Sequence, residues 1–192
     1  WFKILSEKTF NDIVENNPNK DKNRTSYTYI TKRQDEALTE AFNNFEKLNN
    51  KELNKEFEAY KKENDSWLSK DSLYEALSIK NGTDFWPNWK DKTDKNLFNP
   101  KTKEEEKAFA KRIEETSKTY AKEIEKYKFI QFVLNKQNLE TKKLADSKGI
   151  KMIADRQVAF SDRDCWAYQS LFLEGWCLGC PPDYFSKDGQ AW

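Results

Sequence analysis

Apolar residues recur at intervals of three and four along most of this chain, and the rhythm stops at Gly149. Leu38, Ala41, Phe42, Phe45 and Leu48 fall on one helical face, and Leu53, Phe57 and Tyr60 repeat the pattern after Asn49-Asn50. Two helices joined by a short turn are predicted. A third is predicted from about Ser69, where Ser and Asp can satisfy free amides, with Leu73, Leu77 and Tyr74 inward and a stop at Asn81-Gly82. The longest helix is expected over residues 102–147, with Phe109, Ile113, Tyr120, Ile124 and Tyr127 on one face and a break between Glu115 and Thr119. Its second half is apolar over a wider arc, which suggests packing against something large such as a sheet. These stripes read as core.

Between the helices lie segments of other kinds. Asn16 to Arg24 has no apolar residue to bury and reads as a loop, whereas Ser26-Tyr27-Thr28-Tyr29-Ile30 alternates like a short strand or extended segment. In Asp84-Phe85-Trp86-Pro87-Asn88-Trp89 the rings beside a proline cannot continue a helix, so they either plug the helices or stack on a sugar. After Gly149, the run Ile150-Lys151-Met152-Ile153-Ala154-Asp155 reads as a strand carrying an acid at its carboxyl end. In parallel α/β architectures that end faces the active site, so Asp155 is a candidate ligand-contacting residue; its other reading is a turn or helix cap.

Composition narrows the function. Charged residues are 35% of the 192, yet the formal net charge is +1, so no broad field would gather nucleic acid or anionic lipid. The aromatic share of 15% is too high for a disordered chain. No window approaches the length of a membrane span, and a cytoplasmic address is expected. Cys165, Cys177 and Cys180 lie close together, but without any histidine a four-ligand zinc site would need unusual carboxylate ligands. They read as structural or incidental thiols, and neither metal nor cofactor is expected. Asn23-Arg24-Thr25 and Asn81-Gly82-Thr83 read as chance sequons.

The tail carries the functional signal. Pro181-Pro182-Asp183-Tyr184-Phe185-Ser186, followed by Gly189-Gln190 and Trp192, resembles the substrate loop of the 4-α-glucanotransferase (amylomaltase, or disproportionating enzyme) family. Lys148 to Asp155 resembles that family's strand ending in Gly-Asp, and Asp164-Cys165-Trp166-Ala167 its Asp-Val-Trp-Ala. Tyr127 to Phe132 is similar to the helix before that strand, and Trp67-Leu68 with Leu73 to Leu77 to the inserted helical region. The resemblance runs from about Tyr27 to Trp192 and is strongest at its end. It departs from the pattern at Ala154-Asp155-Arg156-Gln157-Val158, where the family reads Gly-Asp-x-Pro-Ile, and at Cys180, where Val is common.

The resemblance implies an α/β fold: part of a TIM (β/α)8 barrel of the α-amylase kind with a large inserted α-helical subdomain, this chain being mostly helical. On that frame, residues 1–30 form a loop and extended segment, 31–100 the inserted helical region, and 101–192 a barrel α/β unit with the substrate loop. It implies transfer of α-1,4-glucan segments between maltooligosaccharides by a retaining double displacement. Asp155, Asp183, Tyr184, Phe185, Gln190 and Trp192 would bind substrate. The family's catalytic carboxylates would lie past Trp192 and its first strand before Trp1, so an internal piece, inactive alone, is expected. A non-catalytic α-glucan-binding module and a helical interaction protein built on Glu104 to Leu144 are the alternatives. A hydrolase using Asp162, Asp164 and Asp183 ranks last, because acids flanking Arg163 suit a salt-bridged turn.

Overall fold

The computed structural model describes residues 4–19, 24–155, 159–173, 175–176 and 178–191. The chain divides into two compact units, Trp1–Asp65 with Glu125–Glu140, and Ser66–Ile124 with Thr141–Trp192.

The first unit holds helices α1 (Glu7–Glu15), α2 (Tyr27–Leu48) and α3 (Lys51–Glu63), together with the middle of a long helix, α7 (Ala121–Ser147). Asn49 ends α2 in the left-handed region at φ 43°, and the Asn50 side chain caps α3 by accepting from the Leu53 amide at 3.0 Å. The periodic residues become core as expected: Phe42, Phe45, Leu53, Phe57 and Tyr60 are buried, while Leu48 stays exposed. The wide apolar arc of α7 packs on rings instead of a sheet. Phe129 lies 4.7 Å from Phe45 and 5.5 Å from Phe42, and Phe132 lies 5.4 Å from Phe57 and 5.6 Å from Tyr60, centroid to centroid. Lys61 to Glu125 (2.9 Å) and Lys126 to Asp35 (2.8 Å) are partly exposed pairs around this cluster, each worth under about 1 kcal/mol.

The strand expected at Ser26 to Ile30 is not formed; Tyr27 to Ile30 are the first turn of α2. With no neighbouring strand among the described residues to pair with, the helix satisfies these backbone groups internally, the Ile30 amide donating to Ser26 O at 2.9 Å. The Tyr29 hydroxyl donates to Ile13 O at 2.8 Å, which ties this turn to α1.

The second unit contains α4 (Asp65–Asn81), a 3-10 turn (Trp86–Asn88), α5 (Lys92–Asn96), α6 (Lys103–Thr119) and α8 (Asp162–Ala167). Strands β1 (Gly179–Cys180) and β2 (Gln190–Ala191) pair antiparallel, Gly179 opposite Ala191 and Cys180 opposite Gln190. The long helix breaks at Tyr120, one residue beyond the expected interval, where the backbone turns to ψ 31° and the Tyr120 ring packs on the core. That core gathers Leu73, Tyr74, Leu77, Trp89, Leu97, Phe109, Ile124 and Trp166.

Helix α7 ends where expected, with Gly149 at φ 69° and the Ile150 amide donating back to Ala145 O at 3.0 Å. The strand expected at Ile150 to Asp155 does not follow. Those residues carry no ladder, and Ile153 is 96% exposed. A strand requires a partner for its backbone groups, and the two-residue pairing of β1 and β2 is the sheet structure found among the described residues. The arrangement of the described residues is mostly helical with little sheet, and no barrel is present among them.

A charged network is enclosed in this unit. Asp94 is fully buried; its Oδ2 meets Lys80 Nζ at 2.5 Å and Asn81 Nδ2 at 3.3 Å, and its Oδ1 faces Arg112 Nε at 3.3 Å without hydrogen-bond geometry. Asp91 caps α5, accepting from the Thr93 amide at 2.8 Å, and meets Arg112 at 2.5 Å. Partial burial pushes the Asp91 carboxyl up, but the Thr93 and Asp94 amides with the charges of Arg112 and Lys80 outweigh it, leaving it below its ordinary value of 3.8. A carboxyl whose folded value lies below its unfolded one binds fewer protons in the native state. Its stabilisation is complete above about pH 4 and disappears as pH falls through the lowered folded value. Thermal melts taken downward from about pH 5 should therefore fall more steeply for the parent than for Asp91→Asn.

Candidate functional site

The tail is attached to the helical core through α8. Ser161 caps this helix with a reciprocal box: its hydroxyl accepts from the Asp164 amide at 3.1 Å, while the Asp164 carboxylate accepts from the Ser161 amide at 3.2 Å. The next turn directs Trp166 inward, where it is fully buried. Its indole N–H donates to Asp94 O at 2.8 Å, and its ring meets Tyr74, Trp89 and Phe98 at 5.3, 5.6 and 5.0 Å. Arg163 reaches Glu75 at 3.2 Å and Asp71 at 3.7 Å and lies over the Tyr74 ring. Lys70 donates to Ala167 O at 3.2 Å and stands 4.1 Å from the Tyr168 ring centroid. Asp164 is thus a capping group and Arg163 a salt-bridge centre, the structural reading of the acids around Arg163. Cys165 is held as a poor nucleophile, since burial pushes its thiol pKa up and Asp162 and Asp164 add to that.

Beyond α8, Phe160, Asp164, Tyr168, Leu171, Phe172, Leu173, Trp176 and Leu178 line a mostly apolar cleft of about 600 Å³. Trp176 is 78% exposed beside it. The size falls within the usual range of small-ligand sites.

The loop between β1 and β2 is the most distinctive local structure of the tail. Its tip is braced from within: Asp183 Oδ1 accepts from the Phe185 and Ser186 amides at 2.8 and 2.7 Å, and the Asp183 amide returns a bond to Ser186 O at 2.9 Å. Ser186 Oγ then donates to Gly189 O at 2.6 Å. Two glycines permit the closure. A Cβ on Gly179 would collide with Gln190 O, and one on Gly189, at φ +72°, would lie 2.5 Å from Cys180 O. Gly189→Ala is accordingly expected to open the β1–β2 pairing at a cost of about 1–3 kcal/mol, visible as loss of the cross-strand contact between Cys180 and Gln190 in proton NMR; an intact contact would contradict this account.

The bracing leaves the rings of Tyr184 and Phe185, 95% and 91% exposed, edge to face with centroids 5.5 Å apart. Gln190 stands exposed on β2. Asp183, Tyr184, Phe185 and Gln190 therefore share one loop. Asp155 lies on the extended segment after α7, also exposed, and no hydrogen bond or ion pair joins it to that loop among the described residues. Trp192 and Cys177 lie outside the described residues. Among the described residues no group of three or more Cys, Asp or Glu is placed to hold a metal ion, and no helix is long and apolar enough to cross a membrane.

The turn at Trp86–Asn88 divides its two expected readings. Trp89 plugs the core, 1% exposed with its indole N–H on Thr83 O at 2.9 Å, so it offers no stacking face. Phe85 stays 44% exposed. The sequence reading missed Trp166 as the anchor of the tail and Asp94 as its acceptor. A tryptophan placed one turn after a Ser-x-x-Asp capping box was the available signal for the first; nothing local marked the second.

Comparison with known proteins gives the same family as the tail motif. A profile of the 4-alpha-glucanotransferase family matches residues 4–192. The 4-alpha-glucanotransferase of Aquifex aeolicus is 30% identical over 174 residues, covering 86% of this chain and 32% of the relative. That of Clostridium butyricum is 30% identical over 203 residues, covering 98% and 38%, and that of Thermus thermophilus 30% identical over 168 residues, covering 81% and 30%. The chain spans about a third of the length of these relatives.

Proposed function

The chain belongs to the 4-alpha-glucanotransferase family, and from that premise we propose that it supplies part of the glucan-binding groove of an enzyme that moves α-1,4-glucan segments between maltooligosaccharides. The observation that carries this reading is the braced loop, which holds the rings of Tyr184 and Phe185 out in solvent, edge to face with each other and otherwise uncovered. A sugar presents C–H faces that stack on rings and hydroxyls that need fixed partners. Tyr184, Phe185 and Trp192 would receive glucose rings, while Asp183, Gln190 and Asp155 would take hydroxyls. Because Asp183 Oδ1 is committed to the loop's own amides, its Oδ2 is the oxygen assigned to substrate. A loop already held in one shape loses little entropy on binding.

For the whole protein we propose an α/β barrel of the α-amylase kind with residues 31–100 as its helical insertion, and a cytoplasmic address. Transfer would be retaining: one carboxylate attacks the anomeric carbon, a second protonates the leaving oxygen, and an acceptor sugar hydroxyl then takes the glucan. None of this chain's carboxylates is assigned to those steps.

Titration with maltoheptaose tests the binding role. Tyr184→Ala with Phe185→Ala should weaken binding about tenfold, the loss of roughly 1.4 kcal/mol of stacking; unchanged affinity would remove the loop from the groove. Incubation of the chain with maltotriose should release no glucose, and turnover would show that its own carboxylates do the chemistry.

A further inference from the structure

We propose that Phe85 and Trp86 form a second α-1,4-glucan site, on the helical part of the second unit and separate from the tail loop. The inference rests on the glucan reading above for the identity of the ligand, but its geometry is independent of the loop.

The turn that carries these rings is fixed along its whole backbone. Five successive carbonyls each have a donor: Thr83 O takes the Trp89 indole N–H at 2.9 Å, Asp84 O the Tyr74 hydroxyl, Phe85 O the Asn88 amide at 3.0 Å, Trp86 O the Trp89 amide at 3.0 Å, and Pro87 O the Lys95 ammonium at 2.7 Å. Pro87 adds a restricted φ. So rigid a turn could have directed both rings inward, as it does Trp89. Instead Phe85 remains 44% exposed, and Trp86 packs only partly on the core.

The Trp86 indole N–H supplies the second observation. Among the described residues no hydrogen bond from it is found, and Trp86 is only partly buried. A half-exposed ring on a stiff turn, followed directly by a partly buried indole, suits one face of a glucose unit and an adjoining hydroxyl. The exposed side chains of Asp84 and Asn88 flank the rings with further acceptors and a donor. The ligand is an uncharged polymer, so no counter-charge is called for, and a long chain can occupy two sites whose affinities multiply.

Native electrophoresis of the 192-residue chain through gels containing increasing glycogen reads the affinity directly. Phe85→Ala removes a ring that is already half in solvent, and Trp86→Phe keeps the packing while deleting the N–H. Each should reduce retardation several-fold, and Phe85→Ala should do so in addition to the effect of Tyr184→Ala with Phe185→Ala. If both turn variants migrate as the parent does at every glycogen concentration, the second site does not exist, whatever the loop variants do. If only the turn variants lose retardation, the second site stands and the tail loop is not a glucan site. A parent chain that glycogen does not retard overturns both.

Discussion

Trp166→Ala is expected to lower the stability of the protein by about 3–5 kcal/mol, the usual cost of deleting a fully buried aromatic side chain. The ring touches Tyr74, Trp89 and Phe98, so its removal opens a cavity bounded by other rings whose edge-to-face contacts it shared. It also strands Asp94 O, which takes the indole N–H at 2.8 Å in a buried site. Trp166→Phe separates the two costs, because it keeps most of the ring volume and gives up the donor. Urea melts should rank parent, Trp166→Phe and Trp166→Ala in descending order. If Trp166→Ala fell within about 1 kcal/mol of the parent, α8 would not be the attachment of the tail described above.

Arg112→Met should cost about 3 kcal/mol, for a different reason. Arg112 faces both Asp91 and the fully buried Asp94, and Asp94 Oδ1 has no hydrogen bond to fall back on. Lys80 remains on Oδ2, so the variant leaves a half-compensated carboxylate in the interior. The decisive measurement is a double-mutant cycle: Asp94→Asn in the Arg112→Met background should restore part of the loss, since the stranded charge is then gone. Strictly additive effects would show that the guanidinium contributes packing alone.

The elements legible from the sequence were those whose signal is local and repeated. The stripes at Ala41 to Phe45 and Leu53 to Tyr60 became buried faces, and Asn49, Gly82 and Gly149 ended helices in the left-handed region. The tail motif identified its family by the order of its residues, and the structure adds why that order closes a loop. Two misreadings share a cause. Tyr27-Thr28-Tyr29-Ile30 and Ile150 to Asp155 have strand-like composition, but a strand is decided by its neighbour, which no window of sequence contains. Asp94 was illegible in the same way. Nothing local in the charge-dense Lys90-Asp91-Lys92-Thr93-Asp94-Lys95 marks a buried acid, and only the arrival of Lys80 and Arg112 from other helices makes burial of Asp94 tolerable.

The bare aliphatic segment after α7 has a consequence for handling the protein. Ile150, Met152 and Ile153 stand 59%, 57% and 96% exposed on backbone that forms no ladder. Such a segment is adhesive, free to zip against its counterpart on another molecule. Concentrated stocks will be colloidally fragile, and dilution or a mild detergent is the natural remedy.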